Sequence, residues 1–237
     1  MTSDDTAVGS ESPHRRSPFR WLGHATVFLP GTPSVAVDPW RWRLEDVADL
    51  VLVTSGHVDH CSEDDIAAAR RSDAPVIAPP RIAERLRTTF GDAIVVLREG
   101  ETHTQDAVHV TALPAAGPTR DGRPSGFLPR GVGAAYLAET PAGRMLFLGD
   151  SIVLPEHENH APDVAFVAVG GLVTATPEEA AETAGRLGAG VVVPIHWGDL
   201  EARHAAARRF VELCAERGVS AEISASAGSA CGGTVQG

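Results

Sequence analysis

A buried strand that leads into a loop of potential metal ligands constrains this chain more than any other stretch. Residues 50–53, Leu-Val-Leu-Val, have no polar interruption and predict a strand that is buried on both faces. The loop 54–60 follows at its carboxyl end, where sites on sandwiched sheets tend to lie. His57, Asp59 and His60 supply two imidazoles and a carboxylate, which suit zinc or iron. The alternative is a polar loop that only caps the next helix.

This loop resembles the H-x-H-x-D-H signature of the metallo-β-lactamase superfamily, and further segments follow in that family's order. They are Trp21-Leu22-Gly23-His24-Ala25-Thr26, Val37-Asp38-Pro39, Phe147-Leu148-Gly149-Asp150 and Val193-Pro194-Ile195-His196-Trp197-Gly198. The resemblance runs from about Phe19 to about Ile223 and is greatest to the small bacterial branch that includes ascorbate-6-phosphate lactonase. The chain departs from the signature at its first position, where Ser55 replaces a histidine.

The resemblance implies an α/β fold, a four-layer αββα sandwich with two mixed sheets inside and helices outside. The alternation of strand and helix patterns agrees with it. Strands are predicted at 19–22, 26–29, 34–38, 50–53, 74–78, 93–97, 107–113, 132–139, 144–148, 163–169, 190–194 and 220–224. Helices are predicted at 62–71, 80–90, 177–187 and 200–217. We expect the first sheet and its helices to end at residue 113, and residues 115–131 to form one long irregular connection.

The composition predicts one globular domain with a loose end. The chain has 237 residues, of which 43% are hydrophobic and 22% charged, enough for one substantial core. Residues 1–17 are polar, have no apolar stretch and predict a flexible N-terminal tail rather than a signal peptide. We therefore expect a single metallo-β-lactamase-like domain over residues 18–237.

Carried over by position, the resemblance implies one complete metal site and one incomplete site. The complete site consists of Asp59, His60, bridging Asp150 and His196. The other keeps only His57, because Ser55 and either Ala116 or Gly117 replace its remaining histidines. A serine hydroxyl is a poor zinc ligand, and alanine or glycine has no side-chain donor. One divalent metal ion is therefore expected, zinc first, with manganese or iron as alternatives.

Several further side chains are candidates for the surroundings of the site. His24 is expected to hydrogen bond a ligand or carboxylate from behind the metal ligands. Ser55, Trp40, Arg41 and Trp197 are candidates for support or substrate contact, Trp40 and Arg41 through aromatic and cationic faces. The alternative is that the tryptophans only cover a sheet edge. Replacement ligands for the incomplete site were sought among the other histidines, for which a surface position is the simpler interpretation: His103, His109, His157 and His160.

The charge and the cysteines exclude some partners. The formal net charge is −11, and all 20 basic residues are arginine, which argues against nucleic acid as a partner. No apolar run is long enough to span a membrane. The three cysteines show no paired spacing, which is typical of the reducing cytoplasm. A small-molecule substrate is expected, and the sequence predicts no oligomeric state.

The leading hypothesis is a metal-dependent hydrolase of a small anionic or cyclic ester, lactone, amide or phosphodiester. His57 and Asp59 are the catalytic candidates, with His57 orienting water or acting as general base. One alternative is a non-hydrolytic metalloenzyme, such as a lyase, a cyclase or an iron oxidase. The other is an inactive, metal-free relative that acts as a binding protein.

Overall fold

Two six-stranded mixed sheets form the centre of the protein. The computed structural model describes residues 18–120, 123–124, 126–197 and 201–224, so the predicted tail at 1–17 and the end beyond 224 lie outside it. The strands are β1 (Arg20–Gly23), β2 (Thr26–Leu29), β3 (Val35–Val37), β4 (Leu50–Leu52), β5 (Val76–Ala78), β6 (Ile94–Val96), β7 (Thr102–Gln105), β8 (Val108–Leu113), β9 (Thr119–Arg120), β10 (Arg123–Pro124), β11 (Ala135–Thr140), β12 (Gly143–Phe147), β13 (Val164–Ala168) and β14 (Val191–Ile195). The helices are α1 (Glu63–Ala69), α2 (Pro80–Phe90), α3 (Pro177–Ala184) and α4 (Glu201–Glu216).

The first sheet has the order β1-β2-β3-β4-β5-β6. Strands β1 to β3 pair antiparallel, and β3 to β6 pair parallel. The parallel part needs crossovers, and α1 and α2 supply those between β4 and β5 and between β5 and β6. Strand β4 lies in the middle and is fully buried, as its unbroken apolar sequence predicts. Its carboxyl end carries the potential metal loop.

The second sheet has the order β14-β13-β12-β11-β8-β7. Strands β12, β13 and β14 are parallel, so the residues that follow them emerge at one edge of this sheet. Asp150 lies beyond β12 and His196 directly after β14. The topology thus brings two residues that are distant in sequence to one place.

Helices cover the outer faces, and apolar side chains fill the layers between. One core cluster lies between the sheets and extends to α3 and α4, with Tyr136, Phe166 and Phe210 among its fully buried members. A second cluster joins the first sheet to α1 and α2 through residues such as Ile66 and Leu86. The four-layer α/β sandwich is confirmed. None of the helices described is long and apolar enough to cross a lipid bilayer.

The structure corrects three details of the predicted secondary structure. Strand β8, expected in the first half, belongs to the second sheet, where it pairs with β11. Strand β7 was not predicted, because Thr102–Gln105 has no buried apolar residue. The strand predicted at 220–224 is reduced, among the described residues, to one isolated bridge between Ala221 and Val192. The connection 115–131 contains the short hairpin of β9 and β10.

Candidate metal centre

The imidazole of His60 is fixed from behind by a buried carboxylate. Its Nδ1 lies 2.7 Å from Oδ2 of Asp38, and neither residue is more than 1% exposed. Thr54 holds the same carboxylate, since its hydroxyl donates to Oδ2 at 2.6 Å and its backbone N–H donates to Oδ1 at 2.8 Å. A carboxylate on one ring nitrogen fixes the orientation of the ring and directs the other nitrogen to a metal. Nε2 of His60 is therefore the atom that faces the site.

Three buried polar atoms converge in front of His60 without hydrogen bonds to one another. His60 Nε2 and His196 Nε2 lie 3.0 Å and 3.1 Å from Asp150 Oδ1. None of the three atoms has a hydrogen-bond partner among the described residues, because the angles at these short distances do not fit hydrogen bonds. Ligands about 2.0–2.1 Å from a tetrahedral ion are about 3.3 Å apart. The three atoms therefore fit a shared metal ion.

Asp59 completes this group from the side that faces solvent. Its Oδ2 lies 3.4 Å from His196 Nε2, and its side chain is 24% exposed. His24 donates to the same oxygen, with Nε2 at 2.8 Å, and its ring centroid lies 3.9 Å from that of His196. His24, Asp59, His60 and His196 offer ligand atoms that all lie within 4.8 Å of one another. The structure thus brings His24 closer to the centre than a purely outer role requires.

Strained backbone positions hold three of these residues in place. His24, Asp38 and His196 have φ values of 51°, 45° and 60°, in the left-handed region that non-glycine residues rarely adopt. The backbone N–H of His196 donates to the carbonyl of His24 at 3.0 Å, which ties β14 to the turn between β1 and β2. Backbone strain of this kind persists only where the surroundings enforce it and is concentrated at functional sites.

The second oxygen of Asp150 belongs to a different set of contacts. Oδ2 lies 2.6 Å from His57 Nδ1 and accepts a hydrogen bond from the Ser55 hydroxyl at 3.2 Å. The ring of His57 also bonds through Nε2 to the carbonyl of Phe127 at 3.0 Å. Ala116 and Gly117 contribute backbone N–H donors to Ser151 and Leu128. Hydrogen bonds within the protein therefore occupy the groups at which the resemblance implies a first metal.

The electrostatics of the centre favour a cation between its carboxylates. Burial would raise the pKa of Asp59, but the contacts of its carboxylate with His196 and His24 outweigh it, so this pKa lies well below its usual range. Burial likewise opposes the low pKa of Asp150, which the charge of His60 and the contacts with His196 and His57 produce. The pKa of His60 is raised against the effect of burial, first by Asp150 and then by Asp38. These carboxylates attract positive charge to the point where the donors meet.

The other predicted residues lie at varying distances from the centre. Trp40 packs against His24 with ring centroids 4.9 Å apart, and the Arg41 guanidinium lies 4.2 Å above the Trp40 ring. Trp197 is buried, stacks on Trp21 at 4.8 Å and donates its indole N–H to the carbonyl of Pro194. Trp197 therefore supports the end of β14 from within the core and does not face a substrate.

The remaining histidines do not join the cluster of described residues. The surface position expected for His157 is wrong, because the side chain is fully buried and bonds through Nε2 to the carbonyl of Pro114 at 2.7 Å. His109 bonds to the hydroxyl of Thr104, and His160 to the carbonyl of Glu156. None of these replaces the ligands that the chain lacks at residue 55 and at 116 or 117.

Sequence reasoning did not assign roles to Asp38, Thr54 and Phe127. Asp38 was noted only as part of a Val-Asp-Pro motif, although an acidic residue at the end of a buried strand was a usable signal. Thr54 carried no signal beyond its place before the loop. The contact of Phe127 with His57 joins positions 70 apart, with ring centroids 4.0 Å from each other, and no local pattern predicts it.

Comparisons with known proteins identify the family of this chain. Residues 18–196 match the model of the β-lactamase superfamily domain family. A protein of Methanoculleus marisnigri named UPF0173 metal-dependent hydrolase is 32% identical over 185 residues, which cover 75% of this chain and 79% of that protein. A protein of Rubrobacter xylanophilus with the same name is 30% identical over 223 residues, which cover 86% of this chain and 90% of that protein.

A solved structure supports the fold. A crystal structure of a protein from Parabacteroides distasonis superposes with a TM-score of 0.73 at 25% identity, covering 87% of this chain and 91% of that one. The match of the family model over most of the chain, the related sequences and the shared architecture point the same way. The chain belongs to the β-lactamase superfamily and has the metallo-β-lactamase fold.

Proposed function

We propose that this chain is a metal-dependent hydrolase that uses one divalent metal ion, zinc first, to cleave a small substrate. The substrate class is an anionic or cyclic ester, lactone, amide or phosphodiester. Two relatives that are at least 30% identical carry the name metal-dependent hydrolase, which supports hydrolysis. The donor set of two imidazoles and two carboxylates, Asp59, His60, Asp150 and His196, supports a divalent metal.

The single-metal proposal depends on the different contacts of the two carboxylate oxygens of Asp150. Its Oδ1 lies beside the Nε2 atoms of His60 and His196, and its Oδ2 is held by His57 and Ser55. A carboxylate that bridges two ions needs one oxygen for each ion. In this chain the second oxygen is already bonded to protein groups.

The other residues of the site then have distinct tasks. A metal ion held by the four donors would supply a Lewis acid and a water molecule of lowered pKa. His57 positions Asp150 through Nδ1. It acts as a base only when its Nε2 has given up the proton that it donates to the Phe127 carbonyl and water or substrate has displaced that carbonyl. His24 holds Asp59 in place. Arg41, stacked on Trp40, binds the anionic part of the substrate.

Localisation in the cytoplasm is part of the proposal. Cys61 and Cys214 are buried free thiols in the described part of the chain, which suits a reducing compartment. Burial raises the pKa of both thiols to about 11, so neither is reactive at neutral pH.

Metal analysis of the purified protein tests the proposal. We expect about one equivalent of tightly bound metal per chain, none in His196→Ala, and about one in the control Ser55→Ala, which removes a group on the other side of Asp150. Hydrolysis of a panel of esters, lactones and phosphodiesters should depend on that metal. Two tightly bound equivalents would refute the single-metal site. Bound iron with oxygen consumption and no hydrolysis would favour the non-hydrolytic alternative.

A further inference from the structure

The exposed apolar side chains of the protein are concentrated around the candidate metal centre. Five large hydrophobic side chains are exposed among the described residues, and three of them lie in segments that carry or touch residues of the centre: Val58 at 74%, Phe127 at 41% and Leu172 at 80%. Large apolar groups exposed together mark binding surfaces more often than chance. Their distribution is therefore informative about what the centre binds.

Val58 and Phe127 each lie next to a residue of the site. Val58 lies between His57 and Asp59 in the loop after β4. The ring of Phe127 packs on the ring of His57, with centroids 4.0 Å apart and planes inclined by 35°. Both side chains therefore adjoin the loop that carries Asp59, the solvent-facing donor.

Leu172 lies in the loop after β13 of the second sheet. It lies two residues after Gly170, whose backbone packs so closely on His196 that a Cβ atom there would be 2.6 Å from the His196 carbonyl oxygen. A hydrogen bond from Gly171 N–H to the carbonyl of Ala175 closes the loop that presents Leu172. Trp40, packed on His24, adds a fourth apolar face. We call Trp40, Val58, Phe127 and Leu172 the apolar rim.

We propose that the apolar rim binds an alkyl or aryl group of the substrate while the polar group that is cleaved reaches the donors below. This inference rests on the proposed hydrolytic function and names its substrate class: an amphipathic ester, amide or phosphodiester. The metal-facing atoms are largely buried, whereas Val58, Phe127 and Leu172 are exposed and Trp40 is half-buried. An occupant must therefore combine a polar group with an apolar body.

A small amphipathic molecule fits this surface better than a second copy of the chain. A flat protein face laid over the rim would cover the solvent-facing side of Asp59 and close the access to the donors below. A substrate places its own polar group at that point. The rim is also divided between loops of both sheets, which suits contacts on several sides of one small group.

Binding of straight-chain carboxylates tests the inference without the need to know the substrate. The metal-loaded protein is titrated calorimetrically with straight-chain carboxylates from acetate to octanoate. The affinity should rise about two- to fourfold for each added methylene, because the rim buries part or all of that methylene. Leu172→Ser and Phe127→Ser should flatten this increase. Val47→Ser is the matched control, because Val47 is 43% exposed before β4, at the end opposite to the metal loop, and should leave the increase unchanged.

His196→Ala separates this inference from the proposed function. Without the metal, every carboxylate should bind more weakly, but the increase per methylene should persist, because it depends on the rim alone. Affinity that does not change with chain length in the wild-type protein would overturn the inference, whether or not the chain proves to be a hydrolase. Chain-length independence together with self-association that Leu172→Ser abolishes would identify the rim as a contact between copies instead.

Discussion

Oδ2 of Asp38 lies 2.7 Å from Nδ1 of His60, and both side chains are buried from solvent. This pair sets the direction of Nε2, the atom that faces the proposed metal. Asp38→Asn should therefore lower metal affinity by about 10- to 100-fold, as the loss of such partners does in other metal sites. Competition with a chromophoric chelator measures the change.

Asp49→Asn is the control for that substitution. Asp49 accepts hydrogen bonds from Ser34 at the opposite end of β3 and pairs with Arg71, so it orders the same sheet without contacting the site. Loss of this carboxylate in Asp49→Asn should leave metal affinity unchanged. Equal affinities in the two variants would remove Asp38 from the account of the centre.

Gly149 allows Asp150 to approach the loop after β4. Its φ is +57°, and a Cβ atom there would lie 2.4 Å from the hydroxyl oxygen of Thr54, which holds Asp38. Gly149→Ala should lower both the free energy of unfolding and metal affinity. Gly91→Ala has a similar φ, +53°, with no atom within 4 Å of the new Cβ. It should cost about 1–3 kcal/mol in urea unfolding, because a residue with a side chain rarely adopts this backbone, and leave metal affinity intact.

His157 should make folding stability depend on pH. Its Nδ1 accepts a hydrogen bond from the Leu154 backbone N–H and its Nε2 donates to the Pro114 carbonyl, so the buried ring is neutral. Burial, more than any other effect, lowers its pKa below the ordinary value of 6.5. The unfolded chain therefore takes up a proton near pH 6.5, while the folded chain does so only at lower pH.

The stabilisation from His157 is thus complete above pH 6.5 and falls as the pH decreases towards the lowered pKa of the folded state. Urea unfolding between pH 5 and pH 8 should show a shallower decrease in His157→Gln than in the wild type. His109→Gln, at the exposed position of β8, should keep the wild-type slope. Identical slopes in the wild type and His157→Gln would contradict this explanation.

Added metal should raise the melting temperature, because it binds the folded state. Free zinc at about 100 times its dissociation constant adds about 2.7 kcal/mol to the free energy of unfolding. Differential scanning calorimetry with and without a chelator measures the shift, which His196→Ala should abolish. A melting temperature that is insensitive to zinc, manganese and iron would favour the metal-free alternative.

The parts of the fold that sequence patterns predicted are those that local physics determines. Helix α2 begins at Pro80, where the missing N–H costs nothing, and ends before Gly91 with its positive φ. The continuous apolar sequence of β4 predicted a central strand. Strand β8 was assigned to the wrong sheet because alternation shows which face of a strand is buried but not which strand lies next to it.

Sequence patterns likewise predicted only part of the candidate site. The structure brings Asp59, His60, Asp150 and His196 together at the positions that the resemblance suggested, and their role as metal ligands stays a prediction. The contacts that distinguish this chain depend on tertiary structure. The carbonyl of Phe127 on His57 and the packing of Gly170 on His196 leave no trace in local sequence, since neither a carbonyl nor a glycine hydrogen signals its partner.

The donors of the proposed centre come from both sheets: Asp59 and His60 from the first, and Asp150 and His196 from the second. An ion bound by all of them would link the two sheets of the sandwich. A nascent chain could not capture it until the residues after β14 had been synthesised and docked. Only fully folded molecules would then retain the ion. Misassembled copies would lack it and would stay susceptible to proteases.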